Sequence, residues 1–89
     1  MISHTTKRFR EALERLPERV RRQARQAYLV FQQNRQHPSL HFKQVHPSRP
    51  LYSVRIGSDY RAVGIIDGEE IVWLWIGTHA DYDHLIAPH

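Results

Sequence analysis

At 89 residues the chain has room for one domain and one modest core, and a core that small leaves a stabilising partner or self-association as an expectation. It has no cysteine, which excludes disulfides, thiolate nucleophiles and zinc–thiolate centres and fits a cytosolic protein. Lys and Arg outnumber Asp and Glu 13 to 9, for a formal net charge of +4, and no apolar run approaches the ~20 residues that cross a bilayer.

The N-terminal Met1–Phe9 lacks the apolar core of a secretion signal, so the expectation is a soluble cytoplasmic protein, residues 1–89 forming a single domain, with no membrane partner. The charge is lopsided. Every Lys and Arg lies within residues 1–61, and eleven of the thirteen are arginines, whereas residues 62–89 carry five acidic side chains and no Lys or Arg. Arginine suits bidentate contacts to phosphate, which points to a polyanion or an acidic protein as partner.

Phe9, Ala12, Leu13 and Leu16 fall at helical spacing, with Thr5 or Thr6 as N-cap. Pro17 sits where a helix restarts, and Val20, Ala24, Ala27, Tyr28 and Phe31 form a second apolar stripe. The spacing predicts an αα-hairpin, roughly residues 5–15 and 18–34, ended by Asn34 and the segment Gln36–Ser39. Residues 37–50 hold three prolines, enough to prevent a long regular element, although Leu40–Val45 is compatible with a short strand. Leu51–Ile56, Tyr60–Ile66 and Ile71–Ile76 read as strands rich in β-branched and aromatic residues, joined by turns at Gly57-Ser58-Asp59 and Asp67-Gly68. Residues 80–86 suit a short terminal helix and Ala87-Pro88-His89 a tail. The fold class expected is α+β: an N-terminal αα-hairpin packed on a small twisted antiparallel β-sheet with a short C-terminal helix.

Facing depends on register. A loop of two or four residues at Asp67-Gly68 puts Trp73 and Trp75 on one face with Tyr60, Ala62 and Gly64, where small residues leave room for indole rings. A three-residue loop puts Arg61 beside Trp75 instead, because a one-residue slip flips every side chain.

Arg55 and Arg61 flank the Gly57–Asp59 turn on neighbouring strands, and His79 with Tyr82 follows the strand paired to the second of these. Such a group can hold a phosphate with guanidinium groups and move protons with imidazole and phenol. RNA is cleaved in this way when a base activates the 2′-hydroxyl, arginine stabilises the charged phosphorane and an acid protonates the leaving 5′-oxygen. Histidine is the natural acid near neutral pH. His79-x-Asp81-x-Asp83-His84 resembles a mutated form of a metallo-hydrolase signature, but that signature belongs to a much larger fold, so no metal is expected.

The order αα-hairpin, proline-rich connector, meander and terminal Gly-x-His is similar to the RelE/ParE superfamily of type II toxin–antitoxin toxins. The resemblance is carried by the segment from His37 to Val45, by Tyr52-Ser53-Val54-Arg55-Ile56-Gly57, by Asp59-Tyr60-Arg61, and by Trp75-Ile76-Gly77-Thr78-His79 with Tyr82. It implies a toxin that cleaves mRNA as a metal-independent endoribonuclease without a cofactor, acting on free or ribosome-ordered message. By this resemblance His79 matches a catalytic acid and Arg61 a transition-state arginine. Arg55 falls where some members place an active-site histidine. Asp59 and Tyr60 match an acidic–aromatic pair lining some sites, and Lys43 lies in the connector that carries catalytic lysines. His41, His46 and Asp59 are the candidates for general base. The implied partners are a cognate antitoxin, through which oligomers mainly form, and mRNA with or without the ribosome. The ParE branch implies a different outcome, inhibition of DNA gyrase without catalysis, and a decayed toxin fold would persist as a protein-interaction module. Family members usually begin with a strand, for which only Met1–Thr5 is available, so a missing or stunted strand would leave a sheet edge open.

Overall fold

The computed structural model describes residues 1–87, so Pro88 and His89 of the expected tail lie outside the described residues. The chain runs β1 (Ile2–Thr5), α1 (Lys7–Glu14), α2 (Glu18–Gln33), a single 3-10 turn at Pro38–Leu40, β2 (Lys43–Gln44), β3 (Leu51–Ile56), β4 (Tyr60–Asp67), β5 (Glu70–Thr78) and α3 (His79–Ile86).

Thr6 is the cap of α1, its hydroxyl accepting the Phe9 N–H at 3.1 Å. Where α1 ends, Arg21 reaches back from α2 and donates from Nη1 to the carbonyls of Leu16 and Glu14. One arginine of the basic half thus satisfies carbonyls that the helix end leaves free. Val20 and Phe31 of α2 are buried, and Ala24 and Ala27 pack against the same core.

The sheet has the order β1-β5-β4-β3-β2. It departs from the expected antiparallel sheet at one edge. β1 runs parallel to β5, with Ile2 opposite Glu70 and Thr5 opposite Trp73, so the sheet is mixed. Backbone groups make this pairing: the Ile2 N–H donates to Glu69 O at 2.9 Å and the Thr6 N–H to Trp73 O at 3.2 Å. The open edge anticipated beside β5 is closed. The expected short strand over Leu40–Val45 reduces to the two residues of β2, paired with Tyr52 and Ser53.

The β4–β5 register resolves the two facing alternatives by combining them. Gly64 stands opposite Trp73 and Val63 opposite Trp75, so the ladder skips Leu74. That bulge turns the two indoles to opposite faces. Trp73 joins the helix-covered core with Phe9, Phe31, Val54, Ala62 and Ile76, and its ring occupies the space over Gly64, where a Cβ would come within 2.9 Å of it. Trp75 goes to the other face, beside Tyr82 of α3, with ring centroids 6.5 Å apart. Among the described residues no helix is long and apolar enough to cross a membrane.

Candidate functional site

Strand pairing decides which side chains share a surface, because directly opposed residues project to the same face. On the face away from α1 and α2, one row runs Lys43, Ser53, Val63, Trp75 and the next runs Arg55, Arg61, Gly77. The turn after β3 therefore sets two arginines opposite each other on one face, their side chains leaving for different neighbours. Opposed like charges are unfavourable in a sheet, and among the described residues neither arginine forms an ion pair with a carboxylate. Arg55 is tied locally: Nε donates to Gly57 O at 2.8 Å, and Nη1 lies 3.4 Å from Nε2 of His41. Arg61 holds its guanidinium carbon 5.6 Å from the centroid of the Tyr82 ring, and its Nη1 is buried without a hydrogen-bond partner.

His79 is the first residue of α3. Thr78 caps the helix by accepting the Asp81 N–H at 3.1 Å, and the His79 N–H donates to Asp59 O at 2.7 Å. The turn that carries Asp59 thus fixes where α3 begins, and with it the position of the imidazole. The His79 ring stacks on Tyr82 at 6.0 Å between centroids and 29° between planes, and its Nδ1 is 3.7 Å from the Asp83 carboxylate one helical turn on. The imidazole is half exposed, so it is open to a ligand.

Tyr82 links these groups. It is only 2% exposed, and its hydroxyl donates to Ser53 Oγ at 3.1 Å across the buried side of the site. Ser53 is itself fully buried. The Tyr82 ring lies against Arg61, His79 and Trp75, which makes it a platform beneath the surface groups. Trp75 leans over Gly77, where a Cβ would come within 2.7 Å of the indole. The backbone there must be bare for the ring to lie against α3.

The structure brings Arg55, Arg61, His79 and Tyr82 together, with His41 reaching Arg55 from the connector in a left-handed conformation, φ 47°. Lys43 lies on the same face, one row from Arg55. Asp59 takes part through its carbonyl. Tyr60 is not brought to this face: it alternates with Arg61 and packs against the helix-side core. His46 is half-buried and turned into its own loop, Nδ1 accepting the N–H groups of Ser48 and Arg49 at 3.1 and 3.0 Å. Sequence reasoning assigned Ser53 no role and put Trp75 beside Arg61 only for a three-residue loop, whereas the turn has two residues and the bulge makes the placement. Ser53 was detectable as the polar residue two positions from Arg55, and so on the same face; Trp75 was hidden by the bulge. The run His79, Asp81, Asp83, His84 winds into α3, and among the described residues no three His, Asp or Glu side chains gather as metal ligands would.

In overall shape the chain is similar to one chain of the RelB–RelE antitoxin–toxin complex of Methanococcus jannaschii, with TM-score 0.72 and 19% identity over 91% of this chain and 96% of that one. It is similar to one chain of the archaeal RelE–RelB complex of Pyrococcus horikoshii, with TM-score 0.70 and 18% identity over 86% and 92%. It also resembles YafQ of Escherichia coli, with TM-score 0.67 and 10% identity over 90% and 94%. At these identities the likeness speaks for the fold. No curated protein matches it significantly in sequence. A family model described as the ParE-like toxin domain matches residues 18–84, more than half of the chain, and the chain belongs to that family, in the RelE/ParE superfamily of toxins.

Proposed function

We propose that this protein is the toxin of a toxin–antitoxin pair and cleaves mRNA by transesterification. One observation carries the reading: Arg55 and Arg61 stand directly opposite each other with no carboxylate partner among the described residues, beside an exposed imidazole held by the Tyr82 ring. Two unneutralised guanidinium groups need an anion, and a phosphodiester supplies one that gains charge as it reacts.

In the proposed reaction the 2′-oxygen attacks phosphorus while a base takes its proton. In this reading His41, whose Nε2 lies 3.4 Å from Arg55 Nη1, takes that role. Arg61 and Arg55 stabilise the phosphorane. His79 gives a proton to the 5′-oxygen as the P–O5′ bond breaks, leaving a 2′,3′-cyclic phosphate and a 5′-hydroxyl. Tyr82 supports the imidazole and the guanidinium from below, since its own hydroxyl is committed to Ser53.

Inducible expression of the parent, His79→Ala and Arg61→Ala, with growth and RNA ends measured together, tests the reading. Each substitution should lower cleavage by about 10²–10³-fold and relieve growth arrest while the protein stays folded. If both folded variants cleave and arrest growth like the parent, the assignment is wrong. Running the assay on naked mRNA and on programmed ribosomes decides whether the ribosome must order the substrate. The RelB complexes of the similar folds support an antitoxin partner here, and such a partner would cover the half-buried arginine face. The ParE-like description of the family favours a second reading, inhibition of DNA gyrase. That reading requires loss of supercoiling by purified gyrase and no new RNA ends.

A further inference from the structure

A second basic concavity lies beside the site and shares Arg55 with it. It is a groove of about 500 Å³ between α2 and the β3–β4 turn, lined by Arg19, Arg22, Gln23 and Gln26 on one wall and by Ser39, Arg55 and Gly57 on the other. Its floor is apolar, formed by Ala27, Val30 and Leu40. The volume falls within the range of about 300–1,000 Å³ typical of ligand sites. Among the described residues these arginines meet one carboxylate, Glu18, 4.0 Å from Arg22. The two side chains are 72% and 64% exposed, and such a pair contributes little.

We propose that this groove holds a nucleotide of the same RNA strand, a few residues from the scissile phosphate, so that the substrate bends around the Gly57 turn from the sheet face onto α2. The chemistry matches part by part. Arg19 and Arg22 face phosphate oxygens, the carboxamides of Gln23 and Gln26 offer both donors and acceptors to a base edge, and the apolar floor accepts the face of a base. Arg55, tied to Gly57 O, stands at the junction of groove and site and contacts the phosphate between them. An acidic protein segment would also use the arginines and would pair its backbone with the carboxamides, so antitoxin binding is one of the outcomes the test separates. The inference rests on the RNA-cleaving reading of the His79 site.

The test measures binding in the His79→Ala background by fluorescence anisotropy, with 2′-O-methyl oligonucleotides that cannot be cleaved. The probes are a hexanucleotide, long enough to reach the groove, and a dinucleotide that fills only the His79 site. The paired variants Arg19→Gln/Arg22→Gln should bind the hexanucleotide about tenfold more weakly at 100 mM salt, with the dinucleotide unchanged. The slope of log K against log salt should fall by about 0.7 for each phosphate that an arginine no longer neutralises. The control pair Arg8→Gln/Arg15→Gln, off the groove, carries the same charge change and should leave hexanucleotide binding within twofold. Thermal melting of each variant verifies that it is folded. Equal weakening in the groove and control pairs, or none in either, overturns the proposal. So does unchanged RNA binding accompanied by loss of an antitoxin from affinity-purified toxin, which assigns the groove to a protein partner. If the His79→Ala protein binds neither oligonucleotide, the RNA reading of the whole site fails. If it binds both and the groove variants bind just as tightly, the groove alone is wrong.

Discussion

At the scale of single residues, Tyr82 separates structural from chemical roles most sharply. Its hydroxyl donates to Ser53 Oγ at 3.1 Å in a place where both residues are buried, while its ring supports His79 and Arg61. Tyr82→Phe keeps the ring and leaves the Ser53 hydroxyl buried without this partner, a loss of about 1–3 kcal/mol. For a domain this small each kcal/mol lowers Tm by about 4–8 °C. Cleavage by the folded variant should stay within about threefold of the parent, whereas Tyr82→Ala removes the platform and should lose both stability and activity. Calorimetry together with a cleavage time course checks this. If a folded Tyr82→Phe protein is inactive, the phenol itself carries a proton. The neighbouring assignments show how far a strand can be read from its letters. Alternation places Arg61 and Tyr60 on opposite faces, so the two could not both line one site. The same rule puts Ser53 on the face of Arg55 and Arg61, where its burial and its bond to Tyr82 depend on a helix that arrives 29 residues later.

At the scale of elements, the helix pair, the meander and the terminal helix were legible because each has its own period or turn signal. The first strand was not. Ile2-Ser3-His4-Thr5 has one apolar residue and no alternation, and its partner lies at the far end of the chain. Its stability comes from backbone hydrogen bonds to β5, which leave no mark on side-chain pattern. The bulge at Leu74 was hidden for a related reason: β5 is apolar on both faces from Ile71 to Ile76, so alternation could not say where the register slips. Parallel pairing makes a specific demand on β1. The N–H groups of Ile2 and Thr6 point at β5, so that of His4 does too, while Ser3 faces the outer edge. His4→Pro removes a hydrogen bond to β5 and should therefore lower stability by about 1–3 kcal/mol, and Ser3→Pro by much less, as proline is tolerated on the free side of an edge strand. His4→Ala is the control for the pair with Glu70, 3.2 Å apart and half exposed, which contributes at most about 1 kcal/mol. Urea midpoints rank the three. Equal destabilisation by the two prolines would mean that β1 does not pair as described.

At the scale of the whole molecule, the charge asymmetry becomes a direction along the sheet. Arg55 and Arg61 lie at the Gly57 end of the strands, and Asp67, Glu69 and Glu70 at the opposite end, around the β4–β5 turn. The strand from Glu70 to Thr78 is nine residues, which at ~3.3 Å each separates the two ends by roughly 25–30 Å. That is several times the Debye length of about 8 Å at physiological salt. Asp81 and Asp83, by contrast, lie within α3 itself, and Asp83 is 3.7 Å from His79. Equal changes of charge at the two ends should then have unequal effects on RNA. Asp81→Asn/Asp83→Asn should tighten binding of an uncleavable oligonucleotide several-fold at 150 mM salt. Asp67→Asn/Glu69→Gln, the same charge change at the far end, should leave it within about 1.5-fold. Lowering salt to 10 mM lengthens the Debye length to about 30 Å, and the two variants should then converge. Titration by fluorescence anisotropy at both salt concentrations decides the matter. If the far-end variant already equals the near-end one at 150 mM, RNA is captured by net charge alone, and the arginine pair has no privileged place in binding.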